Sequence, residues 1–262
     1  MTAPMFSIRR QALDGQVLSG TFLNLASSLT VEIAGNAGFD WLLIDLEHGS
    51  GDQTELVHQL QAAACTPAAP IVRIAWNEAP RFKRVLDLGP SGVMVPYINT
   101  AEEARQAVRA MRYPPQGIRG VASLNRACGF GKDFEHYFAT ANDQLLTVLQ
   151  IETRQAVEQV EAIASVDGAD VLFVGPTDLC ASLGVERRLD HPEFLKAVTK
   201  VVAACKQQGK AAGILVSDSE QVESMVGRGF TFVAIGSDAG LVAAGMQRLS
   251  SSFKKFKKAK PD

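Results

Sequence analysis

Eight short apolar runs recur along the chain, and several of them end on polar residues that a buried strand would not need. In order they are VLSGTFLN (17–24), DWLLIDLEH (40–48), PIVRIAW (70–76), GVMVPYI (92–98), LLTVLQIE (145–152), ADVLFVG (169–175), AAGILVS (211–217) and FTFVAIG (230–236). They are rich in Val, Ile and Leu and mostly continuous rather than alternating, as strands covered on both faces should be. Between them, TELVHQLQAAA, APRFKRVLDLG, TAEEARQAVRAM, RQAVEQVEAIA and PEFLKAVTKVVAACKQQG carry apolar residues at helical spacing. Thr54, Thr100 and Asp190 precede helical runs as candidate N-caps, and Gly89, Gly209 and Gly229 stand where helices should stop.

Eight strand–helix units in about 250 residues is the arithmetic of a (β/α)8 TIM barrel, here a single domain over residues 1–262. An open doubly wound sheet is the rival, but the chain carries neither a dinucleotide fingerprint nor a P-loop. The stretch 112–144 is too long for a plain connection and predicts an elaborated active-site loop. FKKFKKAKPD (253–262) reads as a basic tail or a helix end that packs on a neighbour.

Composition narrows the picture by exclusion. Lys and Arg number 26 against 28 Asp and Glu, so no global field attracts nucleic acid or an acidic membrane. No run approaches the length of a membrane span, and the N-terminus lacks the apolar core of a signal peptide. Cys65, Cys128, Cys180 and Cys205 are widely spaced, which fits a reducing cytoplasm better than disulfides or a zinc site.

The chemistry lies at the strand ends, where TIM barrels place their active sites. Strand two finishes with Asp45, Glu47 and His48, strand three holds Arg73, strand five ends with Gln150 and Glu152, and strand six runs through Gly175 and Pro176 to Asp178. Two-residue alternation puts Leu43, Asp45 and Glu47 on one face and Leu42, Ile44 and Leu46 on the other. Val148, Gln150 and Glu152 likewise share a face. If the apolar sets meet the helices, the polar sets converge on the lumen.

A carboxylate there is costly unless it is paired or holds a cation. Glu152 and Asp178, from adjacent strands, could give two oxygen ligands to Mg²⁺ or Mn²⁺. The plainer readings are a salt bridge from Glu152 to Arg73 or Arg154, and an N-cap at Asp178. His48 beside Asp45 reads as a base oriented by a carboxylate. Arg73 reads either as a bridge to Asp45 or Glu47, or as a clamp for a carboxylate or a developing oxyanion. Asp218 and Asp238, after strands seven and eight, would repel phosphate and read as helix caps.

GFDWLLIDLEHG, PIVRIAWNE, RYPPQGIRGV, VLQIETRQAV and FVGPTDLCASLG, in that order, resemble the HpcH/HpaI family of class II pyruvate aldolases over about residues 17–250. The resemblance implies a barrel that binds Mg²⁺, Mn²⁺ or Co²⁺ through Glu152 and Asp178 and works on the carbon–carbon bond of a 4-hydroxy-2-keto acid. It implies His48 with Asp45 as the catalytic pair, Arg73 and Gln150 in the pyruvate site, and a homo-oligomer, hexamer favoured, that exchanges a C-terminal helix. Gly175, Pro176 and Thr177 would receive the keto acid; Thr177 stands where Ala or Ser is usual. Leu46 and Gly49 also depart from the common motif.

A Schiff-base aldolase needs a lysine in the barrel, and every lysine here lies in a helix, a loop or the tail. A lyase, decarboxylase or carboligase acting on the same enolate, and a barrel that only binds a ligand, are both compatible with the sequence.

Overall fold

The computed structural model of the protein describes residues 7–256. The basic-tail expectation falls largely on 257–262, outside the described residues. All eight apolar runs are strands: β1 (Leu18–Leu23), β2 (Trp41–Asp45), β3 (Ala69–Arg73), β4 (Gly92–Val95), β5 (Leu146–Ile151), β6 (Val171–Val174), β7 (Ala211–Val216) and β8 (Phe232–Ser237). Each pairs in parallel with the next, and β8 pairs with β1 to close the barrel. The helices are α1 (Ile8–Leu13), α2 (Ser28–Asn36), α3 (Gln53–Ala63), α4 (Ala79–Leu86), α5 (Ala101–Met111) and α6 (Phe134–Gln144). They continue with α7 (Arg154–Glu158), α8 (Val160–Ala164), α9 (Pro176–Leu183), α10 (Pro192–Gln207), α11 (Ser219–Gly227) and α12 (Asp238–Ser251). The expected helix over 154–164 is therefore two short ones, broken at Gln159.

Strand alternation divides the apolar residues into two clusters. Leu42, Ile44, Val72, Leu149, Ile151 and Val174 face the helices, whereas Trp41, Leu43, Ile71, Val148, Phe173 and Phe232 fill the lumen. The lumen is packed by matching large rings to absent side chains. Trp41 stacks on Phe232 at 4.2 Å, and a Cβ added at Gly20 would lie 2.2 Å from the Trp41 ring. A Cβ at Gly213 would meet Phe173 at 2.4 Å. Ile8 and Ala12 of α1 join this inner cluster from the N-terminal end, where Arg9 also pairs with buried Asp170 at 3.0 Å. With that end filled, the lumen opens at its C-terminal mouth, where the polar residues stand.

Three expectations need correction. Helix α3 is capped by Asp52, in a reciprocal box with Glu55, and not by Thr54. Helix α10 is capped by His191, while Asp190 pairs with Arg188 at 3.0 Å. Thr100 does cap α5. The segment 112–144 is not at the active-site end: it joins the C-terminus of α5 to the N-terminus of β5, and such connections lie at the opposite end of a barrel. It is tied there by Arg119 to Asp87 (3.3 Å) and by the Ala127 N–H to the Asp87 carbonyl (3.0 Å), and it holds a 3₁₀ turn at Arg126–Gly131 as well as α6. Its length is used for folded structure at the base. Among the described residues no helix is long and apolar enough to cross a membrane, and the four cysteines are free thiols.

Candidate active site

The last lumen-facing residue of β3 is Arg73, and its position fixes the others. It is buried, and it donates from Nε to Asp45 Oδ1 (2.8 Å) and from Nη2 to Asp45 Oδ2 (2.7 Å). Its Nη1 reaches Glu47 Oε2 at 3.0 Å and Gln150 Oε1 at 3.4 Å. A planar guanidinium is the one cation that can meet a carboxylate with two parallel bonds while serving others at its third nitrogen. Phe22 lies under it, 5.2 Å from its ring centre.

Asp45 also accepts from Asn24 Nδ2 (2.7 Å) and from the backbone N–H groups of Glu47 (3.0 Å) and His48 (3.4 Å). Burial alone would raise its carboxyl, but Arg73 and the Glu47 and His48 N–H groups outweigh it and hold it below the usual range. Asn24 is fixed in turn by Asp238, which accepts from the N–H groups of Asn24 (2.7 Å) and Leu25 (3.4 Å) and from Thr30 Oγ1 (2.7 Å). Asp238 is thus not the cap expected of it; Ser237 caps α12, and Asp238 pins the β1–α2 loop. Asp218 does cap α11.

The His48 ring is not oriented by Asp45. Its side chain is 68% exposed at the mouth, and the nearest carboxylate oxygen is Glu47 Oε1, 3.9 Å from Nε2. Asp45 bonds the His48 backbone and spends both oxygens on Arg73. The strand ends at Asp45, and His48 stands three residues on, where strand alternation does not put its ring on the side of that carboxylate. Burial raises the Glu47 carboxyl, against the opposing pull of Arg73 and His48.

Glu152 is buried beyond the end of β5. Its Oε1 accepts from the Tyr97 backbone N–H (2.8 Å) and its Oε2 from Gln150 Nε2 (2.9 Å). Neither suggested arginine pairs with it; Arg154 bonds the Leu183 carbonyl instead. Burial, then the charges of Glu47 and Asp178, push its carboxyl up to about 7 despite the Tyr97 bond and Arg73. Gly175 makes this position possible, since a Cβ there would lie 2.5 Å from Glu152 Oε2. Asp178 sits in the first turn of α9 and caps nothing; Gly175 occupies the cap position.

A buried, cation-poor carboxylate beside a second one fits a divalent ion. Among the described residues no group of three or more His, Cys, Asp or Glu could hold a metal, so a cation here would take at most two such ligands from the chain, with water or ligand in its other positions. Tyr97, which the strand pattern does not suggest, belongs to the same corner. Its backbone N–H holds Glu152, and burial and the carboxylates of Asp178, Glu152 and Glu47 hold its phenol above the ordinary value.

The raised Glu152 carboxyl has a thermodynamic signature. Between 4.5, its ordinary value, and about 7 the folded chain keeps a proton that the unfolded chain has lost. Stability therefore falls as pH rises through that window, by about 3 kcal/mol from this group. In EDTA the protein is expected to melt at a lower temperature at pH 7.5 than at pH 5. Glu152→Gln should flatten this slope, although the raised Glu47 and Asp170 carboxyls will leave part of it. An unchanged slope in thermal scans of the variant would refute the assignment.

Asn24, His48, Arg73, Gln150 and Asp178 open into one cleft of about 1310 Å³, and Glu152 lies buried behind Gln150 and Gly175. Phe22, Arg73, Gln150 and Phe173 form its floor, His48 and Gly175 to Asp178 one wall, and Arg187, Leu215 and Ser217 lie farther out. The first N–H groups of α9 have no intrahelical acceptor and open toward it, a natural seat for an anion.

A closed barrel with an arginine clamp and a carboxylate pair at its mouth defines a (β/α)8 enzyme, and its relatives define it as a carbon–carbon lyase. Residues 18–244 match the HpcH/HpaI aldolase/citrate lyase profile. The chain belongs to the HpcH/HpaI aldolase/citrate lyase family. It is 42% identical over 240 residues to a 5-keto-4-deoxy-D-glucarate aldolase of Salmonella arizonae, covering 92% of this chain and 93% of that one. An HpcH/HpaI aldolase/citrate lyase family structure from Burkholderia cenocepacia J2315 superposes with a TM-score of 0.88 at 38% identity, over 94% of this chain and 98% of the other. An HpcH/HpaI aldolase from Desulfitobacterium hafniense DCB-2 also reaches 0.88, at 29% identity, over 98% and 100%.

Proposed function

We propose that the protein is a divalent-cation-dependent aldolase that cleaves or forms 4-hydroxy-2-keto acids, with pyruvate or hydroxypyruvate and an aldehyde as the other reactants. The observation that carries this is buried Glu152, tied through Gln150 to Arg73 and acted on by the charge of Asp178. The 5-keto-4-deoxy-D-glucarate aldolases point to a polyhydroxylated acid as the first substrate to try.

Glu152 and Asp178 would hold Mg²⁺, Mn²⁺ or Co²⁺. When bound, the cation would supply Lewis acidity toward the ketone of the substrate. The carboxylate of the keto acid lies at the N-terminus of α9, by Gly175, Pro176 and Thr177. Gln150 and Arg73 line the ketone side, where Arg73 meets the negative charge that develops as the bond to C4 breaks. Asp45 and Asn24 keep the guanidinium in that pose. His48, at the mouth, takes the proton of the C4 hydroxyl directly or through water, with Glu47 as its neighbouring carboxylate.

Purified protein stripped with EDTA should release no pyruvate from a panel of 4-hydroxy-2-keto acids, and should regain activity with Mg²⁺, Mn²⁺ or Co²⁺. Metal-independent turnover would overturn the site assignment. Cation binding without pyruvate release from any member would move the reading to a decarboxylase or carboligase using the same enolate.

A homo-oligomer, hexamer favoured, and a cytoplasmic setting accompany this reading. Of α12 only Asp238 is buried, while Leu241, Met246 and Leu249 are each more than 60% exposed, an apolar face that a second copy would cover. Sedimentation should give an assembly that Leu241→Ser with Met246→Ser dissociates. A monomeric wild type would refute this.

A further inference from the structure

The cleft runs past the groups that the reaction itself needs. Gly175 to Asp178, at the start of α9, form one part of its wall, and Arg187 to Asp190, beyond the end of α9, form another. Helix α9 has eight residues and so spans about 12 Å. The chain then folds back at Gly184, whose φ is +70°, and the Val185 N–H bonds the Cys180 carbonyl at 3.0 Å. The end of α9 is anchored by Arg154, which donates from its N–H to Ser182 Oγ and from Nη2 to the Leu183 carbonyl, both at 2.9 Å. His191 caps α10 at the other end of the loop. The loop 184–191 is therefore held at both ends beside the cleft.

The positive charges along this arm are not equally occupied. Arg73 is held by Asp45 and Glu47, and Arg188 by Asp190 at 3.0 Å and 3.1 Å and by Glu186 at 3.8 Å. Arg228 caps the end of α11 that lies away from the mouth. Arg187 is exposed and has no hydrogen bond or ion pair among the described residues. On the β7 side, Asp218 caps α11 and Glu220 is exposed, while Ser217 and Ser224 add hydroxyls to the lining.

We propose that Arg187 is a specificity-determining residue: it receives a carboxylate at the far end of the substrate, on the aldehyde half. This deepens the proposed function and rests on its seat for the keto acid at the N-terminus of α9. The lengths agree. With bonds near 1.5 Å, an extended six-carbon acid spans about 6 Å between its terminal carbons, and an arginine side chain reaches about 6 Å more. Together they match the length of α9. A guanidinium with no partner offers two parallel N–H groups to such a carboxylate, and a three-carbon keto acid alone would not reach it.

The test compares wild type, Arg187→Ala and Arg187→Lys, each full chain supplied with Mn²⁺, on two six-carbon substrates. One is a 4,5-dihydroxy-2-keto acid that ends in a carboxylate; the other is its counterpart ending in a hydroxymethyl group. Arg187→Ala should raise KM for the diacid about 10-fold with kcat little changed, and leave both constants for the counterpart as they were. Arg187→Lys keeps the charge and loses the fork, so it should fall between. Calorimetry with 2-ketoadipate, a diacid without the C4 hydroxyl, should show the same 10-fold weakening in Arg187→Ala with no turnover. Unchanged diacid KM and 2-ketoadipate affinity in Arg187→Ala, or equal losses on both substrates, overturn the role of Arg187. Arg187-dependent binding of 2-ketoadipate with no pyruvate release from either substrate supports this recognition and overturns the aldolase reading instead.

Discussion

Glu152→Ala and Asp178→Ala should each lower pyruvate release about 10³-fold or more and abolish measurable Mn²⁺ binding. With only two carboxylates available to the ion, loss of either leaves a single anchor, and neither Glu47 nor Asp45 can substitute. Both are held by Arg73, at 3.0 Å and 2.7 Å. The two variants should nevertheless differ in stability. Glu152 is buried with its carboxyl pushed to about 7, so its removal relieves a desolvated charge at neutral pH. Asp178 is only half buried, so its removal relieves much less. Glu152→Ala should therefore melt above wild type in EDTA at pH 7.5, and below wild type once saturating Mn²⁺ is added. Such a trade of stability for activity is common where a site keeps an uncompensated charge. Retained turnover in either variant would show that the cation, if one is used, sits elsewhere.

The parts of this arrangement that follow regular periodicity are legible in the sequence. Two-residue alternation in LLIDLEH and TVLQIE separates Leu43 and Asp45 from Leu42 and Ile44, and Val148 and Gln150 from Leu149 and Ile151; the barrel places them on those sides. Residues beyond a strand end are harder to place. His48 is three residues past Asp45 on irregular backbone, so its ring turns toward Glu47. Tyr97 reaches the site through a positive φ that no hydrophobic pattern signals. Asn24 and Asp238 act through a loop whose contacts span 214 residues of sequence. Caps shift by one or two residues from their expected positions because Asp52 and His191 stand next to equally suitable Thr54 and Asp190. The base of the barrel departs from expectation for another reason. Length marks 112–144 as elaborate, but only its place after α5 rather than after β4 says which end it occupies. That order is readable from the succession of apolar runs and helical segments.

The second large effect is expected at Arg73. Arg73→Ala removes the cation that compensates Asp45, whose side chain is fully buried, and Glu47. Breaking a buried pair from one side costs about 3–5 kcal/mol, a drop of roughly 10 °C in melting temperature for a domain of this size. The pH dependence identifies the source. In wild type the depressed Asp45 carboxyl contributes stability that is present above its unfolded value near 3.8 and is lost as pH falls through its folded value. Without Arg73, burial dominates and the sign reverses, so the gap between wild type and variant should be widest near neutral pH and close below about pH 4. Arg73→Ala combined with Asp45→Asn should recover part of the stability and none of the activity. Arg73→Lys separates charge from shape: a lysine ammonium keeps the charge but cannot donate in parallel to Asp45 while reaching Glu47 and Gln150. It should retain most of the stability and still lose about 10²–10³-fold in kcat, with a smaller change in KM. Wild-type kcat in Arg73→Lys would mean that the guanidinium only bridges carboxylates. The developing negative charge would then have to be met by the divalent cation that Glu152 and Asp178 would hold.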